Sequence, residues 1–104
     1  MILQDRYVIY ATDTFKKLFL TLDKSEQNWI EKIKRKLEDN PTGKILQFSW
    51  FREKKYLNKR LYYLVEEEQK KILFVSFASK KDQQRVIDFV KVNMKELLEY
   101  LKSL

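Results

Sequence analysis

At 104 residues the chain has the length of one domain, and 22 Lys and Arg against 15 Asp and Glu give it a formal net charge of +7. It has no Cys and no His, which excludes disulfides, thiolate nucleophiles and the commonest general base and metal ligand. No stretch approaches the roughly 20 apolar residues of a membrane span.

Tyr7 to Tyr10 form a short apolar run in which β-branched Val8 and Ile9 favour a strand. Thr12 or Asp13 then offers an N-cap, and Phe15, Leu18, Phe19 and Leu22 follow at the i, i+3, i+4, i+7 spacing of an amphipathic helix. A second helix is predicted from Ser25, with Trp29, Ile30, Ile33 and Leu37 on one side and Glu26, Lys32, Lys34 and Lys36 toward solvent. Asn40-Pro41 ends it, because the residue before a proline avoids helical angles.

Beyond Gly43 the period changes. Leu46, Phe48 and Trp50 alternate with Gln47 and Ser49, which predicts a half-buried strand. Leu61 to Val65 reads as a second strand, and the polar stretch Glu66 to Lys71 as its turn. Ile72 to Ala78 is apolar except at Ser76 and reads as a central strand covered on both faces. Short polar connections favour an antiparallel meander. After Ser79, Ile87, Val90, Met94, Leu97, Leu98 and Leu101 recur at helical spacing, predicting one long C-terminal helix of about twenty-five residues. The order β-α-α-β-β-β-α is an α+β architecture: two N-terminal helices packed on a mostly antiparallel sheet, then a long C-terminal helix. No internal boundary or repeat divides residues 1–104, so a single domain is expected. The N-terminus lacks a signal peptide's apolar stretch, and a cytoplasmic location is expected.

The charge is unevenly placed. Between Lys44 and Arg60 stand six basic residues (Lys44, Arg52, Lys54, Lys55, Lys59, Arg60) and one acid, Glu53. Lys80, Lys81 and Arg85 form a second group just after the last strand. In a meander these groups are expected to meet on one rim of the sheet, with Tyr56, Tyr62 and Tyr63 interleaved. Basic side chains bind phosphates and aromatic rings stack on unpaired bases, so the cluster points to accessible RNA. A solvated hairpin loop is the plain alternative, and Trp29 and Trp50 are read as core. The acidic residues mostly flank lysines on helices rather than forming paired motifs, and neither a metal nor a cofactor is expected.

Several short motifs carry a family likeness: Asn40-Pro41 after the second helix, Lys54-Lys55, Arg60-Leu61-Tyr62-Tyr63, and Ile72 to Ser79 followed by Lys80-Lys81. With the element order, they resemble the RelE/ParE toxin superfamily, in particular its archaeal RelE-like branch. The resemblance implies the toxin of a type II toxin-antitoxin pair, an endoribonuclease that cuts mRNA without a metal, commonly in the ribosomal A site. It also implies a cognate antitoxin that wraps the toxin. Lys54, Lys55, Arg60, Lys80 and Lys81 match the family's catalytic basic positions, with Arg52, Lys44, Lys59, Tyr56, Tyr62 and Arg85 as further RNA contacts. The long final helix departs from the short tail that carries a catalytic tyrosine or histidine in many members. That departure keeps two other readings open: a ParE-like inhibitor of a protein such as gyrase, and a toxin-like binding domain without catalysis.

Chemically, RNA cleavage by its own 2′-hydroxyl needs a base, a cation for the phosphate and an acid. A lysine crowded by like charges is a candidate base, Arg52 or Arg60 a candidate cation, and a tyrosine a candidate acid.

Overall fold

The computed structural model describes residues 6–104. In chain order, β1 (Val8–Ala11) leads into α1 (Asp13–Thr21) and α2 (Lys24–Asp39), followed by β2 (Lys44–Ile45), β3 (Phe51–Tyr56), β4 (Lys59–Glu66) and β5 (Lys71–Ser79). A 3-10 turn (Lys80–Asp82), α3 (Gln83–Val92) and α4 (Met94–Ser103) complete the chain. The five strands form one sheet in the order β1-β5-β4-β3-β2. Only β1 runs parallel to its neighbour, β5, and the other pairs are antiparallel. The α+β reading and the mostly antiparallel sheet therefore hold.

Helix starts are set by side-chain caps. Thr12 accepts the Phe15 N–H at 3.0 Å. Asp23, not Ser25, opens α2, in a reciprocal box where Asp23 accepts from Glu26 N–H at 2.8 Å and Glu26 accepts from Asp23 N–H at 3.2 Å.

The sheet has a core on each face. Phe15 of α1 and Ile30, Ile33 and Leu37 of α2 pack on Leu61, Tyr63, Val65, Ile72, Phe74 and Phe77. On the other face Val86, Ile87 and Val90 of α3 and Leu101 of α4 pack on Phe51, Tyr62, Leu64, Leu73 and Val75. Each fully buried aliphatic side chain contributes about 1.5–3 kcal/mol. Double coverage explains the near-continuous apolarity of β5, helped by a bulge at Val75 that lets Val75 and Ser76 both line a cleft with Val86 and Phe89.

Three expectations are corrected. Residues 46–50 are a turn, not a strand, and the ladder begins at Phe51. Leu46, Phe48 and Trp50 still reach the core, with Phe48 and Trp50 stacked at 4.8 Å and 3° between planes. The C-terminal helix is two helices broken at Asn93, whose side-chain amide donates to the Phe89 carbonyl at 2.9 Å and competes for the backbone's acceptor. The sheet also carries a fifth strand, two-residue β2 at its edge, beside the four expected. Among the described residues no helix is long and apolar enough to cross a membrane.

Candidate nucleic-acid interface

The β3–β4 hairpin turns through two residues, Leu57 and Asn58, and the Asn58 carbonyl accepts the Lys80 N–H at 3.4 Å. That contact draws the end of β5 against the hairpin. Register then fixes the rim: Lys55 pairs with Arg60, which pairs with Ala78, and Tyr56 pairs with Lys59, which pairs with Ser79. Lys54, Lys55, Tyr56, Lys59, Arg60, Lys80 and Lys81 thus lie at one end of the sheet. Among the described residues, Lys54, Lys55, Lys80 and Lys81 make no salt bridge.

Strand alternation divides this rim between the two faces. Lys54, Tyr56 and Lys59 lie on the α2 side. Lys54 Nζ donates to Thr42 Oγ1 at 2.8 Å, and the Tyr56 ring packs on Trp29 at 4.9 Å. Lys59 pairs with Glu26 at 2.6 Å and sits 5.4 Å over the Phe77 ring. Lys55 and Arg60 lie on the α3 side. Adjacent Lys54 and Lys55 therefore do not crowd one another.

The Arg60 side chain is largely buried, and its Nε lies 3.9 Å from Glu53 Oε2. The Glu53 carboxylate is 6% exposed and accepts from Gln83 Nε2 at 2.6 Å. Neither Glu53 nor Gln83 stands out in the sequence as a site residue. The signal was there once β3 is placed at 51–56: Glu53 then shares the inward parity of buried Phe51.

Of the further expected contacts, Arg52, Arg85 and Tyr62 lie elsewhere or are covered. Arg52 is a strut, donating to the Pro41 and Ser49 carbonyls and pairing with Glu67 at 3.2 Å, away from the hairpin turn. Lys44 is exposed on edge strand β2, opposite Glu53. Arg85 pairs with Asp82 at 3.6 Å and lines the cleft beside Thr12 and Thr14. Tyr62 is completely buried, so it offers no ring to a base; burial pushes its phenol up, opposed in part by Gln83. Tyr63 is buried too, its hydroxyl donating to the Thr42 carbonyl, and burial raises its pKa far above the ordinary 10.0. Among the described residues no three acidic side chains gather as a metal site would need.

Neither a protein-family model nor a curated protein matches the sequence. Solved structures do match in shape. A double mutant of the E. coli toxin RelE in its free state superposes with a TM-score of 0.71 at 16% identity, covering 83% of this chain and 96% of that one. The intact E. coli RelBE toxin-antitoxin complex gives 0.64 at 17% identity, covering 70% and 95%. The archaeal RelE-RelB complex from Pyrococcus horikoshii gives 0.63 at 15% identity, covering 72% and 96%. The chain has the RelE fold, as the motifs led one to expect.

Proposed function

We propose that this chain is the toxin of a type II toxin-antitoxin pair, a cytoplasmic endoribonuclease that cuts mRNA without a metal at the hairpin rim. The observation that carries this reading is the gathering of Lys54, Lys55, Lys80 and Lys81, all outside salt bridges among the described residues, with Arg60 at one end of a RelE fold. The solved complexes of similar shape pair a RelE with a RelB, which supports an antitoxin partner for this chain.

The chemistry divides along the faces. Lys55 is the register partner of Arg60 and lies on its side of the sheet, which supports one shared phosphate for the two. Lys55 is the candidate base that takes the proton from the RNA 2′-hydroxyl. The oxygen then attacks the adjacent phosphorus, and the bond to the 5′-oxygen breaks. Arg60 holds the negative charge that builds on the phosphorane oxygens. Lys80 or Lys81 gives the departing 5′-oxygen its proton, leaving a 2′,3′-cyclic phosphate and a 5′-hydroxyl. Lys54 and Lys59, on the other face, hold flanking phosphates, and Tyr56 offers its ring edge beside them.

The test is induction in growing cells followed by mapping of mRNA 5′ ends. New ends in translated messages, lost in Lys55→Ala with Arg60→Ala and retained by purified protein in excess chelator, are expected. Growth arrest with intact mRNA and blocked DNA replication would overturn the nuclease in favour of a gyrase-type inhibitor. Absence of arrest would point to a binding domain without catalysis.

A further inference from the structure

Glu53 is a buried carboxylate in a chain of net charge +7, placed directly behind the rim. Among the described residues it makes two polar contacts, both through Oε2: the Gln83 amide at 2.6 Å and Arg60 Nε at 3.9 Å. The second is an ion pair too long for a hydrogen bond. Among the described residues, Arg60 Nε is itself buried without a hydrogen-bond partner, and so is the hydroxyl of Tyr62, the residue opposite Glu53 in the ladder. Of the three guanidinium nitrogens only Nε is both buried and unpartnered. The buried side of the Arg60 head thus faces one carboxylate, as an ion pair at 3.9 Å.

We infer that Glu53 is a positioning residue, which fixes the Arg60 guanidinium at the rim and, through Gln83, ties the turn carrying Lys80 and Lys81 to β3. The link to the turn is short in sequence: Gln83 opens α3, directly after the Lys80–Asp82 turn. One side chain thus connects β3, β4 and the segment after β5. A surface built only to attract RNA would do better without a negative charge here, since the carboxylate weakens the local positive field. Its value lies in geometry. An unanchored arginine must give up rotamer freedom when it grips a phosphate, whereas one held beforehand does not. A guanidinium fixed where transition-state charge develops accelerates the chemical step rather than ground-state binding.

This inference rests on the proposed RNA-cleaving role of Arg60, and two measurements separate them. Glu53→Gln keeps the shape and can still accept from Gln83, but removes the charge that holds Arg60. In 15N NMR of the whole chain, the Arg60 Nε–H is expected to give a solvent-protected signal that is lost in Glu53→Gln and restored by no second-site change elsewhere on the rim. In a cell-free translation mixture with a defined mRNA, Glu53→Gln is expected to lower kcat about tenfold without raising KM. In an Arg60→Ala background it is expected to have no further effect on kcat. An equal loss in both backgrounds, or an Arg60 signal unchanged by Glu53→Gln, would overturn the positioning role. Loss of the signal in a chain whose wild type cleaves no RNA would overturn the nuclease reading and leave the tether standing.

Discussion

A Cβ placed on Gly43 would stand 2.0 Å from the hydroxyl oxygen of Tyr63. Gly43 also has φ of +146°, a conformation that side chains resist. The close approach exists because Tyr63 reaches past Gly43 to donate to the Thr42 carbonyl. Gly43→Ala is therefore expected to destabilise the fold by about 2–4 kcal/mol, from overpacking and backbone strain together. Tyr63→Phe should cost less, about 1–2 kcal/mol, since it orphans one carbonyl. The pair together should lose less than the sum, because removing the hydroxyl opens space for the new methyl group. Urea melts of the four chains measure this, and strict additivity would show that the clash is relieved elsewhere.

Burial raises the pKa of both Tyr62 and Tyr63 above the ordinary 10.0. The folded state thus holds these protons where the unfolded chain releases them. Stability from this source is complete below pH 10 and is lost as pH climbs from there toward the folded values. A chain with Tyr62→Phe and Tyr63→Phe should start less stable but decline less steeply above pH 10. Thermal melts from pH 8 to 11.5 read the difference. Parallel slopes would mean that neither phenol is kept neutral by the fold.

Much of this fold was written plainly in the sequence. The Phe15–Leu22 stripe, the Asn40-Pro41 stop and the apolar run of β5 each obey a local rule, and each element formed where that rule put it. The strand expected at 46–50 failed because Leu46, Phe48 and Trp50 satisfy their burial from a turn, by stacking rather than by pleating. β3 was hidden by its own composition: four of its six residues are charged, and long charged side chains can line a sheet end with their heads in water. The C-terminal helices keep their apolar spacing across Asn93, so only the competing amide marks the break. For the site, the clustering of charge was legible but its parity was not. Lys54 and Lys55 part to opposite faces, and Glu53 joins Arg60, only once the register of β3 against β4 is known.

Leu57 occupies the hairpin turn with φ of +55° and is 73% exposed. A leucine gains little from such exposure and bears the left-handed conformation at a cost of about 1–2 kcal/mol. Glycine removes that strain but adds about 0.5–1 kcal/mol of unfolded-state entropy. Leu57→Gly is expected to raise stability by about 0.5–1 kcal/mol, a gain of a few degrees in Tm for a domain of this size. A fall in Tm would mean that the Leu57 side chain makes contacts worth more than the strain.

The rim lysines and Arg52 should separate cleanly in their response to salt. Each phosphate neutralised by a protein cation releases condensed counterions, so the logarithm of RNA affinity falls linearly with the logarithm of salt, by about 0.7 per contact on a single strand. Among the described residues Lys54, Lys55, Lys80 and Lys81 lie outside salt bridges, and replacing any one by Ala should flatten that slope by about 0.7 while leaving Tm nearly unchanged. Arg52 is committed to the Pro41 and Ser49 carbonyls and to Glu67, which it braces together. Arg52→Ala should therefore lower Tm and leave the slope as it is. Lys59 falls between, because Glu26 already holds its ammonium at 2.6 Å, and its release to a phosphate would expose the start of α2. Anisotropy titrations of a labelled single-stranded RNA at several salt concentrations give each slope directly. A slope that Arg52→Ala flattens, or that the four rim lysines leave untouched, would move the RNA surface from the hairpin end of the sheet to the opposite end.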